Sequence, residues 1–376
     1  MRIAIVGGGP AGLYFAILMK RRDPSHDITV IERDGPQDTF GWGIVFSDQT
    51  FSFLRDSDPA SFERIVSACT TWDNVDIVHR GQKVTIRGNR FSAIARIGFL
   101  NILHRRCDEL GVELKFRTTV AEPGTLGSFD LLVGADGANS VVRRAHAAAF
   151  RPSLDVRRNK YIWLGTPQLF HGLTLTFRRS AAGVFAAHSY KFNESTSTFI
   201  VECPPETWEA AGFAGMDDRQ TCAYLEAVFA DDLRGQPLLT NDFVKWLNFV
   251  LVKNDRWRDG SVVLLGDALH TAHFSIGSGT KLALEDAIAL AQAFDATTTV
   301  EAALERFELD RKPVVDSLQA AAYESLIRFE RMDEDMGLDP IPFAYRLMTR
   351  SGRIDLEKLR KRDPRFVAAY ERSQGG

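Results

Sequence analysis

The sequence of 376 residues predicts an α/β fold in which a parallel-stranded layer is interleaved with a second, antiparallel sheet and followed by C-terminal helices. Three observations carry this expectation. A short apolar strand runs straight into a glycine turn and a helix at the N-terminus. Two later apolar strands end in Gly and Asp, and residues 161–203 switch to apolar alternation with a period of two.

With 45% apolar and 25% charged residues the chain is an ordinary globular one, and its length favours two packed domains over one core. Lys and Arg total 46 against 49 Asp and Glu, a net charge of −3, so the basic excess of a nucleic-acid binder is missing. Cys69, Cys107, Cys203 and Cys222 lie far apart without CxxC spacing, which argues against a zinc site or a secreted disulfide framework and fits a reducing cytoplasm. No apolar run suits a signal peptide or a membrane span. The expectation is a cytoplasmic protein with no nucleic acid, membrane or metal partner.

Residues 2–6 form the first strand and residues 11–22 the first helix, stopped by Asp23 and Pro24. Between them, Gly7-Gly8-Gly9-Pro10-Ala11-Gly12 is a GxGxxG in the strand-turn-helix context that gives it meaning. Gly7 permits the tight turn, Gly9 lets a pyrophosphate approach, Pro10 and Ala11 open the helix, and Gly12 lets helix and strand touch. The helix N-terminus then faces phosphate. A second buried strand, 27–31, ends in Glu32, 25 residues after Gly7, where an acid holds the adenosine ribose; Arg33 beside it is counted to the same site. These features leave NAD and FAD equally open.

Strand 91–95 leads through Arg96 into a helix over 97–110. Strand 129–133 runs into Gly134-Ala135-Asp136-Gly137 and on to Arg143, and strand 261–265 into Gly266-Asp267, followed by Gly277-Ser278-Gly279 and a helix from Thr280 to Phe294. In these three motifs, taken in order, the sequence resembles the FAD-dependent aromatic hydroxylases of the p-hydroxybenzoate hydroxylase type. The resemblance implies a Rossmann-like FAD-binding domain, FAD as cofactor, NADH or NADPH as co-substrate, and molecular oxygen. The residues agree with it: a strand-end carboxylate such as Asp267 can accept a hydrogen bond from a ribityl hydroxyl, which NAD lacks. The 277–279 turn would aim a helix dipole, with Thr280 in the first turn, at the flavin edge where negative charge collects on reduction. The resemblance also assigns Asp136, Gly137 and Arg143 to FAD and the passing nicotinamide, and Arg96 to the pyrophosphate. A solvated helix-start arginine is the other reading of Arg96. In the glycine-punctuated loop 41–47, Gly43 would then contact the isoalloxazine, with Trp42 as a shield.

The segments 158–166, 197–203 and 273–281 look like the salicyloyl-CoA 5-hydroxylases and the monooxygenase part of 2-aminobenzoyl-CoA monooxygenase/reductase. They are similar also to the tryptophan-pathway hydroxylase of violacein biosynthesis. Phe274 and Lys281 stand where the wider family carries proline and asparagine, so those contacts are not carried over. The organisation expected is FAD-binding parts at 1–70, 96–156 and 256–300, a substrate-domain excursion at 71–95, the antiparallel substrate sheet at 157–255 and a C-terminal helical region at 301–376. No second, reductase domain is expected.

Strands over 161–164, 173–178, 184–192 and 197–203 are expected in that sheet, the last two as a hairpin. Alternation puts Val184, Ala186, His188, Tyr190 and Phe192 on one face. His188 and Tyr190, polar neighbours on an apolar face, suit a pair that hydrogen-bonds a substrate phenol and relays its proton; two satisfied structural groups are the alternative. Tyr161, Trp163 and Phe274 are candidate walls for an aromatic substrate, although core packing suits the first two equally. His270 and His273 read as capping or supporting groups. The tail 346–365 holds eight basic and three acidic residues, a patch that would meet the phosphates of CoA or else form a solvated helix face.

The function expected is a flavin monooxygenase in which a hydroperoxide of the flavin hydroxylates an electron-rich ring, at the 5-position of salicyloyl-CoA or a related 2-substituted benzoyl-CoA. A tryptophan or indole-type intermediate is the alternative substrate, and a non-catalytic FAD-binding protein the alternative class. A halogenase would need a WxWxIP segment, which the sequence lacks. A homodimer is left open.

Overall fold

The computed structural model describes residues 1–241 and 245–375, without the side chains of 48 and 49. In chain order the strands are β1 (Arg2–Val6), β2 (Asp27–Ile31), β3 (Gly43–Ser47), β4 (Thr70–Trp72), β5 (Val75–His79), β6 (Gln82–Ile86), β7 (Phe91–Ala95) and β8 (Glu113–Lys115). They continue as β9 (Leu131–Gly134), β10 (Pro152–Thr166), β11 (Leu173–Arg179), β12 (Val184–Lys191), β13 (Ser197–Cys203), β14 (Leu247–Asn254), β15 (Arg258–Asp259) and β16 (Val262–Leu264).

The first sheet has the order β15-β16-β9-β1-β2-β8 and is parallel except for the β15–β16 edge pair. Its central strands are short apolar runs because helices cover both faces. The helix Pro10–Arg22 is buried without interruption from Ala11 to Met19. A helix apolar all round belongs between two layers, and this one packs against the helix Gly279–Asp295, with the rings of Phe15 and Phe294 6.4 Å apart. Tyr14, Phe15, Ile17 and Met19 are fully buried, each contributing roughly 1.5–3 kcal/mol from lost apolar exposure.

The second sheet has the order β14-β10-β13-β12-β11-β5-β6. It is antiparallel as expected except at one pair: β5 lies parallel to β11. The reason is topological, since β5 and β6 come from the excursion before the long first-sheet segment, and a strand rejoined by so long a crossover is free to run parallel. Successive residues alternate between two cores. Phe185, Ala187, Phe199 and Val201 pack outward under residues 205–233, while Val184 and Ala186 meet Phe329, Phe343 and the C-terminal helices. Cross-strand register aligns Trp163, Ile200 and His188 in one rung, and Tyr161, Glu202 and Ala186 in the next. On this inner face Val184 and Ala186 meet the C-terminal helices, while His188 and Tyr190 meet Phe274 and Gly43.

Two elements differ from expectation. β10 starts at Pro152 rather than near 161, because its first half pairs with β14 around a bulge between Val156 and Lys160, a partner the local pattern does not reveal. The segment read as a loop over 41–47 is strand β3 from Gly43 on, paired with β7, which also pairs β4. Among the described residues no helix is long and apolar enough to cross a membrane.

Candidate functional site

The three glycine motifs converge at the C-terminal ends of β1, β9 and β16. Gly7 has φ +110°, and a Cβ there would stand 2.2 Å from the Ala135 carbonyl oxygen, so the first turn and the Asp-Gly motif touch through backbone. A Cβ on Gly12 would come within 2.3 Å of the Gly7 oxygen and 3.0 Å of Ile5, which is the helix–strand contact its spacing implied. On Gly266 a Cβ would lie 3.0 Å from Ala11 and 3.5 Å from Ala283, joining the starts of both long helices to the Gly-Asp turn. Arg143, buried, locks the motifs together: its guanidinium donates to the carbonyl of Ala268 at 2.8 Å and to that of Ala138. Its role is thus a clasp between the Asp-Gly and Gly-Asp motifs.

Gly9 differs from its neighbours, because a Cβ there would meet nothing within 4 Å. It caps a helix with Pro10 at its first position, no side-chain cap and no acid in the first turn. The helix Gly279–Asp295 starts in the same way: Ser278 gives no side-chain cap, Gly279 faces open space, and Gly277 before it is left-handed at φ +62°. Thr280, half-buried, sits in that first turn. Two uncapped helix starts offer free N–H groups to an anion. Glu32 accepts from the Gly8 amide at 2.7 Å and the Asp34 amide at 2.9 Å, which fixes its carboxylate at the end of β2 with lone pairs to spare. Arg33 is exposed and paired with Asp34.

Asp267 is accessible, yet protein surrounds it closely enough that burial pushes its carboxyl up, against the pull of Arg96 and His270. Both conditions hold together for a group that faces an internal cavity. Arg96 shares that cavity; burial lowers its pKa while Asp267 opposes, and its Nε donates to Thr39 at 3.1 Å. Asp136 accepts from the Val141 amide at 2.6 Å through one oxygen, while the other is buried with no partner among the described residues. Gly137 has φ +78° and open space at its Cβ position. Open glycines, free helix N–H groups, an enclosed carboxylate and an orphaned acceptor fit FAD, an anion that brings its own hydroxyls.

The inner face of the second sheet closes over this cradle. The Gly43 amide donates to Thr198 at 3.0 Å and its carbonyl accepts from the Tyr190 hydroxyl at 2.8 Å; a Cβ on Gly43 would strike Phe192 at 2.6 Å. Both backbone groups of Gly43 are therefore engaged by the roof, and the Tyr190 proton is committed to a carbonyl. Tyr190 stacks on Trp72 at 5.9 Å, and among the described residues it makes no hydrogen bond to His188. Phe274 is the hub of an aromatic cluster, 4.9 Å from Tyr161 and 5.2 Å from His188. Trp163 lies over Gly41.

Beneath His188 lies a carboxylate that reading the sequence missed. Glu202 is 1% exposed; it is 3.3 Å from His188 Nε2, 3.8 Å from His273 Nε2, and accepts from Asn159 at 2.8 Å. His273 caps the turn Phe274–Ile276, and the Ser275 hydroxyl lies 2.8 Å from its Nδ1. Ser275 continues to Ser325 at 2.8 Å and Ser325 to Arg350 at 2.8 Å. The one available signal was an acid inside the apolar run Phe199-Ile200-Val201-Glu202-Cys203. His270 instead faces Asp286 at 2.8 Å, in a buried cluster with Arg311, Glu285 and Lys281.

The basic tail is less open than its count suggests. Arg350 turns inward to the carbonyls of Ser275 and Leu347, and burial pushes it down to about 10. Arg346 pairs with Asp335, Lys358 with Asp355, Arg360 with Glu357 and Glu371, and Arg362 reaches Asn89. Exposed Arg353, Lys361 and Arg365 have no ion-pair partner among the described residues.

Residues 95–322 match the FAD binding domain family, and residues 5–42 the NAD(P)-binding Rossmann-like domain. The chain is 40% identical to a salicyloyl-CoA 5-hydroxylase of a Streptomyces species, over 98% of its own length and 72% of the relative's. It is 37% identical to a 3-hydroxy-4-methyl-anthranilyl-(aryl-carrier protein) 5-monooxygenase of Streptosporangium sibiricum, over 96% and 97%. It is 35% identical to a protodeoxyviolaceinate monooxygenase of Chromobacterium violaceum, over 92% and 93%. A solved 2-methyl-3-hydroxypyridine-5-carboxylic acid oxygenase shares the fold with a TM-score of 0.72 at 20% identity, over 96% of this chain and 97% of that one.

Proposed function

This chain belongs to the FAD-binding aromatic hydroxylases and is an FAD-dependent monooxygenase, and from that premise we infer that it hydroxylates a 2-substituted benzoyl group, carried as a CoA thioester, at the 5-position. The observation that carries the substrate reading is the 40% identity with salicyloyl-CoA 5-hydroxylase along 98% of the chain. The 37% relative, whose name places an anthranilyl group on a carrier protein, supports a thioester-borne ring.

Bound FAD supplies the electron transfer from NADH or NADPH to molecular oxygen and the delivery of one oxygen atom to the ring. The chain does the rest. Glu32 takes the adenosine ribose hydroxyls. The starts of the helices Pro10–Arg22 and Gly279–Asp295, with Gly9, Gly277, Ser278, Gly279 and Thr280, hold the anionic parts of the cofactor, and Arg96, Asp136, Gly137 and Asp267 line its cavity. Tyr161, Trp163 and Phe274 wall the substrate ring, orient it and keep water out. A 2-hydroxyl or 2-amino group pushes electron density to the carbon para to it, position 5. His188 takes the proton of that substituent, while the Tyr190 hydroxyl, held by Gly43, supports the roof. Arg353, Lys361 and Arg365 are the tail cations open to the phosphates of CoA.

The 35% relative acting on protodeoxyviolaceinate favours a second reading, an indole-type substrate. Aerobic oxidation of NADH and NADPH by the FAD-loaded protein separates the two, with salicyloyl-CoA, 2-aminobenzoyl-CoA, free salicylate and tryptophan offered in turn and product masses recorded. Stimulation by a thioester with gain of one oxygen is expected. Stimulation by tryptophan alone, or by none of them, overturns the thioester reading.

A further inference from the structure

We propose that Glu202 is a positioning residue for hydroxylation, holding His188 in the Nε2–H tautomer so that Nδ1 is the nitrogen that takes the substrate's proton. The proposal rests on the functional reading above and adds to it the group that sets the base.

An ionised carboxylate only accepts hydrogen bonds, so a histidine nitrogen facing it must carry the proton. His188 Nε2 faces Glu202 Oε2 at 3.3 Å. Among the described residues no hydrogen-bond partner sits on His188 Nδ1, which leaves that nitrogen with its lone pair. The rest of the network runs in the same sense. Arg350 can only donate, and its Nε points at the Ser325 hydroxyl at 2.8 Å. Ser325 then donates to Ser275, and Ser275 to His273 Nδ1, each at 2.8 Å. The Ser275 amide also points at that nitrogen, at 3.4 Å, so Nδ1 of His273 is an acceptor and its proton lies on Nε2, toward Glu202 Oε1 at 3.8 Å. Asn159 completes the set with a bond of 2.8 Å from Nδ2. Every donor from three elements points inward to one anion.

The ionised state of Glu202 is consistent with this geometry. Burial raises its pKa, while positive charge on His273 and the hydrogen bonds from His188 and Asn159 lower it, and the balance falls below the ordinary carboxylate value; with both histidines neutral, it is the bonds from His188 and Asn159 that remain. Burial pushes His273 down to about 4, with Glu202 opposing and His188, Arg350 and Arg157 adding to the fall, so it is neutral near pH 7. The groups facing Glu202 are thus His188 from β12, Asn159 and Tyr161 from β10, and His273 from the turn, with Arg350 and Arg157 behind. A lone buried carboxylate is strongly disfavoured, and this one is offset by directed donors.

The step is a proton transfer. The O–H bond of a 2-hydroxyl breaks, its electron pair stays on oxygen, and the proton forms an N–H bond at His188 Nδ1. The imidazolium so formed keeps its Nε2–H on Glu202, whose charge stabilises it. His188 shares a rung with Trp163 and lies between Phe274, edge-on at 5.2 Å, and Phe329 at 4.7 Å, so its imidazole sits on the sheet face that carries the residues assigned to the ring.

The test reads the tautomer first. In the FAD-bound protein labelled with 15N-histidine, two-bond 15N–1H correlation at pH 7.5 distinguishes Nε2–H, Nδ1–H and imidazolium, and the His188 signals are those lost in His188→Gln. The Nε2–H form is expected in the wild type, and conversion to Nδ1–H or a mixture in Glu202→Gln. An Nδ1–H form or an imidazolium in the wild type overturns the proposal without any folded Glu202 variant. The second readout is the pH profile of kcat with salicyloyl-CoA. Glu202→Gln should lower kcat by about tenfold or more and displace the acidic limb with KM little changed, and Glu202→Asp should restore part of the rate. An unaltered profile overturns the proposal. If the wild type hydroxylates no thioester, the substrate reading fails, while the tautomer measurement still decides the role of Glu202.

Discussion

Trp42 and Trp163 each lie against a glycine on the other's segment. A Cβ on Gly165, two residues from Trp163, would be 2.7 Å from the Trp42 ring, and a Cβ on Gly41, next to Trp42, would be 2.7 Å from the Trp163 ring. Among the described residues the indole N–H of each is buried without a hydrogen-bond partner. This reciprocal contact joins the segment leading into β3 to the end of β10.

Gly165→Ala should therefore destabilise the protein by roughly 1–3 kcal/mol through overpacking. Gly41 is left-handed, with φ +76°, so Gly41→Ala adds backbone strain to the same clash. Thermal unfolding of the FAD-bound variants checks both, and Gly41→Ala should show the larger fall in Tm. Equal and negligible falls would mean that the indoles move aside freely.

Gly9 and Gly7 should separate cofactor binding from folding. Because a Cβ at Gly9 meets no protein atom while one at Gly7 meets backbone at 2.2 Å, Gly9→Ala should keep the Tm of the FAD-free protein and weaken FAD by about tenfold or more. Gly7→Ala should lower Tm with or without FAD. Fluorescence titration with FAD beside calorimetry reads the two effects, and a Gly9→Ala protein that binds FAD normally would remove the pyrophosphate from that turn.

His273 gives the fold an acid-sensitive point. Its pKa is pushed down to about 4 by burial, so as pH falls below the ordinary histidine value the unfolded chain takes up a proton that the folded chain refuses. Stability is then fully present above about pH 6.5 and is lost progressively down to about pH 4, by up to roughly 3 kcal/mol. Chemical denaturation of the wild type and His273→Gln between pH 7 and 4.5 should give a flatter pH dependence for the variant. Parallel curves would show that other groups carry the acid loss.

Replacing Arg353, Lys361 and Arg365 together by Glu should raise KM for the CoA thioester by about tenfold and reduce its sensitivity to salt, with FAD affinity unchanged. A steady-state series from low to high ionic strength measures it. An unchanged KM would return the tail to a solvated helix face.

The parts of the fold legible in the sequence are those whose constraint is local. Strand, glycine turn and helix over residues 2–22 are set by neighbours a few positions apart, and Gly12 meets the Gly7 oxygen as its spacing implied. The alternation of β11, β12 and β13 is equally local. What stayed hidden depends on distant partners. The Tyr190 hydroxyl is taken by Gly43, 147 residues away, and Arg350 reaches Ser275 across 75 residues. Neither pairing leaves a mark in the sequence around the residue that makes it. Glu202 was hidden for another reason: a charged residue in an apolar strand reads as an edge position until its two histidines and Asn159 are placed around it.

The strand order β16-β9-β1-β2 also fixes when the protein can first hold its cofactor during synthesis. β1 and β2 emerge early, but the strand on the other side of β1 arrives about 100 residues later and β16 roughly 230 residues after β2. At about 5–20 residues per second a ribosome needs roughly 10–50 seconds for that interval. One edge of β1 stays uncovered until β9 emerges, and one face of the first helix until the helix Gly279–Asp295 has been made. The nascent chain is thus exposed to aggregation while a helix that ends up buried along most of its length is already outside the tunnel, and that helix is not covered before the helix Gly279–Asp295 has been made.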